Sequence, residues 1–371
     1  MSDESNDDAD RASLSPSVEA SPRSEFDFID RVRRQAHRHA HKLRQFPSSL
    51  RSSLKRGIGD DAAVIGQSDG RDTVITADLL IEDIDFRREW TPPHALGHRA
   101  LAVSLSDIAA MGARPLWAMI SLGVPREVWR SRFADQFYEG FFALADRYGV
   151  TLIGGDVSRT PERVVVDSIV LGETASARAV LRSGARPGDH IFVTGALGGA
   201  AAGLRLLESG ARMGEKAKRP RASRAVKELL LRHLRPLPRV EWGGLLGHEG
   251  LATAMIDLSD GLSSDLAHLC EESGVGASLD VARIPVDENL ARIACGRALD
   301  PLMLALHGGE DFELLFTVGP RDLARLPASV AGVPVTYIGD ITNRPRRITL
   351  IEGSRKWTLK PEGFQHFARG R

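Results

Sequence analysis

The 371-residue chain has few of the features that mark secreted, membrane-spanning or nucleic-acid-binding proteins. Its two cysteines, Cys270 and Cys295, form no C-x-x-C pair. Neither a disulfide framework nor a zinc site is indicated, and a reduced, cytoplasmic location is expected. No apolar run approaches the roughly 20 residues of a membrane-spanning helix. The 49 basic residues balance 49 acidic ones, so no overall charge favours nucleic acid or an anionic membrane.

The common phosphate-binding motifs are missing as well. The chain has no G-x-x-x-x-G-K-[ST], which excludes a P-loop enzyme, and it lacks the lysine, H-R-D and D-F-G set of protein kinases. The glycine-rich stretch "TGALGGAAAGL" lacks G-x-G-x-x-G spacing and predicts a tight strand–helix turn. Any nucleotide site in this chain must therefore be of another type.

Length and composition predict two domains of the α/β class. The hydrophobic content of 42% is sufficient for a sizeable core. Strand and helix patterns alternate in both halves and break near 175–185, which predicts an N-terminal domain over 25–180 and a C-terminal domain over 181–371. Residues 1–24 are acidic, rich in serine and without an apolar segment, and they predict a disordered tail.

Several segments give clear local predictions. The stretch 94–112 is rich in alanine and leucine and predicts a buried helix. The stretch 127–149 predicts one amphipathic helix whose core face is formed by Trp129, Phe133, Phe137 and Phe141. The basic stretch 212–224 predicts a loop or solvated connector. Histidines at 37, 39 and 41 alternate along a predicted helix, so a solvated basic face is favoured over a metal site.

Carboxylates recur at predicted strand ends and inside apolar segments, often beside glycine. They are Asp61 in "GIGDDAAVI", Asp78 at the end of "VITAD", Asp107 in "LAVSLSDIAAM", Asp156 in "LIGGD", Asp257 and Asp260 in "MIDLSDGL", and Glu310 and Asp311 in "HGGEDFELL". Single members have ordinary alternatives, because Asp260 could be a helix N-cap and Asp156 could form an Asx turn.

Asp107 is the hardest of these residues to explain structurally. An unpaired carboxylate in an apolar helix is costly unless a cation or strong donors meet it. Clustered Asp oxygens suit hard cations, and Mg²⁺ in particular accompanies phosphates. Glycines beside the acids let the backbone approach a phosphate. The pattern therefore indicates a site for Mg²⁺ and a polyphosphate, with Asp60 expected only to cap or orient its loop.

The motifs resemble those of the thiamine-monophosphate kinase family, within the wider superfamily of aminoimidazole-ribonucleotide synthetase-like ATP enzymes. The similar segments cover roughly residues 25–370 and include "GIGDDAAVI", "LSDIAAMGARP", "LIGGDVSR", "DLSDGL" and "GGEDFELLFTV". The resemblance implies a homodimer paired through the N-terminal sheet, with ATP as co-substrate and several Mg²⁺ ions. It also implies conversion of thiamine monophosphate to thiamine diphosphate, in which the acceptor phosphate is already ionised and needs no general base.

The resemblance also implies roles for individual residues. The implied metal ligands are Asp61, Thr76, Asp78, Asp107, Asp156, Asp257 and Asp260, of which Asp61, Asp78 and Asp107 are also the expected catalytic residues. The implied ATP contacts are Gly155, Asp156, Arg182 and Ser259, and the implied substrate positions are Asp85, Glu310 and Phe364. Two positions depart from the family pattern, since Ala77 replaces a hydroxyl residue and Asp85 replaces a histidine.

Two alternatives to this function stay open from the sequence. One is a different ATP-using enzyme of the same superfamily, such as aminoimidazole-ribonucleotide synthetase or selenophosphate synthetase. The other is a nucleotide-binding protein without catalysis, which the departures at Ala77 and Asp85 would favour. The intact acidic positions argue against such a protein, because a decayed site should lose its metal ligands first.

Overall fold

The computed structural model describes residues 25–42, 53–213, 220–294 and 297–364. The predicted acidic tail, Cys295 and residues 214–219 of the basic stretch lie outside these ranges. The α-helices are α1 Glu25–Lys42, α2 Pro93–Ala110, α3 Arg126–Trp129, α4 Phe133–Tyr148, α5 Gly199–Glu208, α6 Pro220–Leu234, α7 Val240–Glu249, α8 Leu262–Ser273, α9 Glu288–Ala294 and α10 Pro301–His307. The strands are β1 Leu54–Arg56, β2 Ala63–Gly66, β3 Arg71–Ile81, β4 Arg114–Val124, β5 Thr151–Arg159, β6 Val165–Ala175, β7 His190–Thr194, β8 Ala252–Asp257, β9 Gly276–Asp280, β10 Leu314–Val318, β11 Ser329–Val330, β12 Val333–Thr342, β13 Ile348–Glu352 and β14 Arg355–Thr358.

The strands form two sheets, which confirms the mixed α/β class. The first sheet has the order β1-β2-β3-β6-β4-β5, and only β4 and β5 in it run parallel. The second has the order β14-β13-β9-β12-β7-β10-β8, with β11 paired to β12. Only β13 and β9 run parallel there. The chain passes from one sheet to the other between Ala175 and His190.

Helix α2 is the central element between the two sheets. Fifteen of its 18 residues are buried, which explains why its sequence is apolar all round rather than on one stripe. Glycines permit the close packing: a Cβ at Gly97 would meet the backbone of Phe137 in α4, and one at Gly243 in α7 would meet the backbone of Ala109. Helix α2 therefore lies against α4 on one side and against α7 on another, as its buried pattern predicts.

The prediction of one helix over 127–149 is wrong at its N-terminal end. The structure has a short α3 and a separate α4, with a break between Trp129 and Phe133. Ser131 causes the break locally: its hydroxyl donates to the Val128 carbonyl at 2.7 Å and accepts from the Phe133 N–H at 3.1 Å. The three phenylalanines assigned to the core face, Phe133, Phe137 and Phe141, are buried as predicted, but Trp129 is 56% exposed and does not belong to the core.

No helix among the described residues is both long enough and apolar enough to span a bilayer. The glycine-rich turn predicted for "TGALGGAAAGL" connects β7 to α5. Gly198 there has a φ of +81°, a conformation that glycine adopts readily. The buried Asp311 accepts hydrogen bonds from the Gly198 and Ala200 N–H groups at 2.6 and 3.0 Å. It fixes the start of α5, a role that the sequence did not predict.

Candidate functional site

Three distant segments bring three aspartates together in a carboxylate cluster. Asp61 comes from the loop between β1 and β2, Asp107 from the last turn of α2, and Asp257 from the end of β8. One carboxylate oxygen of each residue lies within 4.8 Å of the others. All three were expected from the sequence to serve one site, and the fold places them side by side.

Hydroxyl groups orient the members of this cluster and the neighbouring Asp78. Thr76 donates to Asp107 at 2.5 Å, and Ser106 donates to Asp257 at 2.7 Å. One helical turn earlier, Ser104 donates to Asp78 at 2.6 Å. Helix α2 thus supplies both a carboxylate and the serines that hold two others. The sequence analysis missed these serines, although their spacing in "LAVSLSDI" beside Asp107 was the available signal.

The carboxylates are in an environment that disfavours their charge. Burial raises the pKa of Asp257 to about 7, with further repulsion from Asp61, and raises the pKa of Asp78 to about 6. The pKa of Asp107 lies well above its usual range because of burial and the charges of Asp78 and Asp257. Asp107 also lies near the C-terminus of α2, where the helix dipole opposes a negative charge.

The cluster fits a hard divalent cation. The Oδ2 atom of Asp61 is buried and has no hydrogen-bond partner among the described residues. A buried carboxylate oxygen without a donor is costly, and a cation would relieve both this cost and the mutual repulsion. The available donors are carboxylate and hydroxyl oxygens, which suit Mg²⁺ and not a soft metal.

Adjacent aspartates in the "GIGDD" loop have different contacts. Asp60 accepts hydrogen bonds from the backbone N–H groups of Arg182 at 3.1 Å and Asp61 at 3.3 Å, and it pairs with Arg56 at 2.8 Å. It therefore holds the loop in place. Asp61 instead faces the cluster and receives the Arg182 guanidinium at 2.6 Å. Arg182, expected to contact ATP, is paired with Asp61 in the structure.

An acidic cavity of about 450 Å³ adjoins the cluster at Asp78. It is lined by the expected substrate contacts Asp85, Glu310 and Phe364, by the expected ATP contact Ser259 and by the expected metal ligand Asp260. Its other ionisable residues are Asp83, Glu208, Arg87, Arg99 and His233, so six carboxylates face two arginines and a histidine. The cavity suits a ligand that carries a positive charge as well as a phosphate.

Two expected residues have structural contacts in the walls of the acidic cavity. Glu310 bridges Arg99 and His233, the latter at 3.0 Å. Burial alone would raise the pKa of Glu310, but these two partners lower it to about 2. Asp85 accepts a hydrogen bond from the Ile81 N–H at 2.7 Å, and this bond closes the turn after β3. Sequence reasoning missed Arg99 and His233, although an arginine inside the apolar "GHRALAV" was a signal.

Asp260 is not a helix N-cap, contrary to the ordinary alternative considered for it. The N-cap residue of α8 is Gly261, which has no side chain, and the backbone N–H groups of Asp260 and Gly261 both donate to Asp265. The carboxylate of Asp265, in the first turn of α8, thus holds the backbone that precedes the helix. This leaves the Asp260 side chain to line the acidic cavity.

Asp156 and Gly155 lie away from the cluster within one chain. Both are exposed on β5, the edge strand of the first sheet. Across the sheet, Asp156 of β5 is paired with Ser121 of β4, Ser121 with Asp167 of β6, and Asp167 with Leu79 of β3. Three strand spacings of about 4.8 Å place Asp156 roughly 14 Å from β3, and alternation places it on the face opposite Asp78. Asp156 therefore lies mid-strand and forms no Asx turn.

The fold and the carboxylate site together define an AIR synthase related protein. Models of this class match the chain as "AIR synthase related protein, N-terminal domain" over residues 59–174 and "AIR synthase related protein, C-terminal domain" over residues 186–351. Within this class, the chain belongs to the thiamine-monophosphate kinase family, as the comparisons with individual relatives show.

Three relatives document this membership. The thiamine-monophosphate kinase of Salmonella typhimurium is 38% identical over 325 residues, which cover 86% of this chain and 94% of the relative. The crystal structure of the Stenotrophomonas maltophilia enzyme has a TM-score of 0.69 at 36% identity and covers 88% of this chain and 96% of its own. A structure described as AaThiL complexed with AMPPCP and TMP has a TM-score of 0.77 at 29% identity, covering 92% and 97%.

Proposed function

We propose that this chain is an ATP-dependent kinase that converts thiamine monophosphate to thiamine diphosphate. A phosphate oxygen of thiamine monophosphate attacks the γ-phosphorus of ATP, the bond to the bridging oxygen breaks, and ADP leaves with that oxygen. The observation that carries the proposal is that the carboxylate cluster and the acidic cavity adjoin at Asp78. Family membership assigns the substrates. The adjacency of the cluster and the cavity would let the phosphate of thiamine monophosphate lie next to the polyphosphate of ATP.

Asp61, Asp107 and Asp257 would hold Mg²⁺, with Thr76 and Asp78 beside them. When bound, Mg²⁺ neutralises charge on the phosphate oxygens of both substrates. Asp156 and Asp260 are proposed as further ligands, and Gly155 and Ser259 as ATP contacts. The Arg182 guanidinium, which pairs with Asp61, is proposed to contact ATP phosphates because its planar fork suits phosphate oxygens.

The acidic cavity is proposed to bind thiamine monophosphate. Its six carboxylates complement the positive thiazolium ring, and Phe364, which is 53% exposed, offers an apolar surface at its edge. Glu310 keeps its negative charge because Arg99 and His233 hold its pKa near 2. Asp85 contributes a negative charge where the family has a histidine, so we propose that it faces the thiazolium and not the phosphate.

We further propose that the chain acts in the cytoplasm as a homodimer paired through the domain over 25–180, with 181–371 as the second domain. Leu79 and Trp117 are 55% and 44% exposed on the first sheet, and β5 is exposed along nearly its whole length. A second copy covering this surface would bury apolar area. It would also bring the exposed Asp156 and Gly155 into contact with another subunit.

A direct test is a coupled assay for thiamine diphosphate with ATP, Mg²⁺ and thiamine monophosphate. The wild-type chain should form product only when all three are present. Asp107→Asn should fold but lose on the order of 10²–10³ in rate, as expected for loss of a contact made to the transition state. Circular dichroism and thermal unfolding verify that the variant is folded.

Other outcomes would contradict specific parts of the proposal. Near wild-type turnover of Asp107→Asn at saturating Mg²⁺ would remove Asp107 from the metal site. Mg²⁺-dependent ATP binding by the wild-type chain without any product would instead favour a nucleotide-binding protein. ATP hydrolysis or transfer that requires a different acceptor would favour another enzyme of the superfamily.

A further inference from the structure

A chain of alternating charges connects the first helix to the metal-binding loop through the second domain. Arg33 of α1 donates to Glu272 of α8 at 2.7 Å, and the other oxygen of Glu272 accepts from Arg56 at 3.0 Å. Arg56 in turn pairs with Asp60 at 2.8 Å and donates to the Gly59 carbonyl at 3.1 Å. This ion-pair chain, made of Arg33, Glu272, Arg56 and Asp60, ends one residue before Asp61.

A second contact of Arg33 also confines the loop that presents Asp61. Gly59 has a φ of +112°, and a Cβ there would come within 2.6 Å of the Arg33 guanidinium. The position therefore requires glycine both for its backbone conformation and for the close approach of the arginine. Arg33 and Glu272 together confine the segment that presents Asp61.

The charges of the ion-pair chain depend on one another. Burial and the charge of Asp61 raise the pKa of Asp60 to about 6, and Arg56 opposes this rise. Glu272, which sits between two arginines, has a lowered pKa despite partial burial because Arg33 and Arg56 both donate to it. Without Glu272, Arg56 would lose the partner that directs its guanidinium toward Asp60, and Arg33 would lose its anchor in the second domain.

We infer that Arg33, Arg56 and Glu272 are positioning residues for the Mg²⁺ site, which they affect through Asp60 and the backbone of residues 57–61. The inference rests on the proposed function only in taking the carboxylate cluster as a metal site. None of the three residues contacts the cluster itself. Groups that orient metal ligands through hydrogen bonds typically change metal affinity by about 10–100-fold when removed. Glu272 is two contacts from Asp61, so a smaller effect is expected.

The test compares Glu272→Gln with Glu271→Gln in the full-length chain. Glu271 is the matched control because it is the adjacent residue, carries the same charge and, within the described part of the chain, forms its ion pair with the exposed Arg346 at 3.3 Å. Mn²⁺ serves as the probe, and its binding to the nucleotide-free protein is followed by electron paramagnetic resonance. The Mg²⁺ concentration for half-maximal activity and kcat at saturating Mg²⁺ are measured in parallel.

Glu272→Gln should weaken Mn²⁺ binding and raise the half-maximal Mg²⁺ concentration by about three- to tenfold, while kcat at saturating Mg²⁺ stays within about twofold. Glu271→Gln should leave all three unchanged. Arg33→Gln should weaken Mn²⁺ binding similarly, and adding it to Glu272→Gln should cause little further loss, because the ion-pair chain is already broken.

Equal Mn²⁺ affinity in Glu272→Gln and Glu271→Gln would overturn the inference. Additive losses in the double variant would also overturn it, since independent effects would show that the residues do not act as one unit. A wild-type chain that binds Mn²⁺ but forms no thiamine diphosphate would refute the proposed function and not the inference. The Mn²⁺ binding measurements test the role of the ion-pair chain and do not require catalytic turnover. Thermal unfolding of each variant separates a loss of metal affinity from a loss of folding.

Discussion

At the scale of single residues, Glu310 shows how a charge is retained inside a partly closed cavity. Its carboxylate is held by Arg99, which is 2% exposed, and by His233, which is 4% exposed. Arg99 also donates to the His233 carbonyl at 2.8 Å, so the three residues form one connected unit between α2, α6 and the segment before β10. The unit fixes the side chain in the cavity wall and joins the two domains.

Glu310→Gln should lower the free energy of unfolding by about 1–3 kcal/mol, because the change weakens the partner of a buried arginine. Glu208→Gln is the control: Glu208 lines the same cavity, and its ion pair among the described residues is with the exposed Arg205, so the change should alter stability by less than about 0.5 kcal/mol. Urea unfolding of both variants measures the difference. Equal free energies of unfolding for the two variants would show that the contacts of Glu310 make no net contribution to stability.

Sequence patterns singled out three acids that the fold brings together, but did not indicate which side chains contact them. Asp61, Asp107 and Asp257 could be predicted because each lies in a short, contiguous pattern of glycine, acid and apolar residues. Their convergence was expected from chemistry alone, since one hard cation needs several oxygens. By contrast, Arg33 and Glu272 are 239 residues apart, and nothing in their local sequences indicates that they meet.

At the scale of elements, helix α7 contains adjacent glycines with opposite roles. Gly243 faces α2, where a Cβ would meet the backbone of Ala109, whereas no atom lies within 4 Å of a Cβ at Gly244. The first glycine permits two helix backbones to touch, and the second has no packing role in the described structure. Helix periodicity explains the difference, since consecutive residues are about 100° apart around the axis.

Gly243→Ala should therefore destabilise the protein by about 1–3 kcal/mol, because the methyl group forces α7 away from α2. Gly244→Ala should stabilise it by up to about 1 kcal/mol, since alanine is the better helix former. Thermal and urea unfolding of the two variants would reveal the opposite signs. A loss of stability in Gly244→Ala as large as in Gly243→Ala would contradict this account of the interface.

The sequence predicted most elements but not where one helix ends. The buried α2 was recognisable because apolar residues surround its whole circumference, and the strands β3, β4 and β6 because β-branched and apolar residues dominate them. The break before α4 could not be derived from the four-residue repeat. It depends on hydrogen bonds of Ser131, which a pattern of apolar residues does not register.

At the scale of the whole molecule, the open face of the first sheet predicts self-association. Trp117 lies on this face, and Trp129, an equally large exposed residue, belongs to helix α3 and not to the sheet. The wild-type chain should sediment at twice the mass of one chain, and Trp117→Glu should shift the equilibrium toward single chains, because a charge would be buried between subunits. Trp129→Glu should leave association unchanged.

Sedimentation equilibrium of all three proteins measures their mass in solution, and a monomeric wild-type chain would refute the proposed dimer.

The exposed edge strand β5 affects how readily the newly synthesised chain aggregates. One side of β5 pairs with β4, and the backbone groups on its outer side can template strand addition by another unfolded polypeptide. If the proposed dimer forms, pairing between two copies and aggregation compete for this strand. Low expression temperature and slow synthesis should favour the soluble product, and variants that weaken pairing should be recovered in inclusion bodies even when each chain is stable.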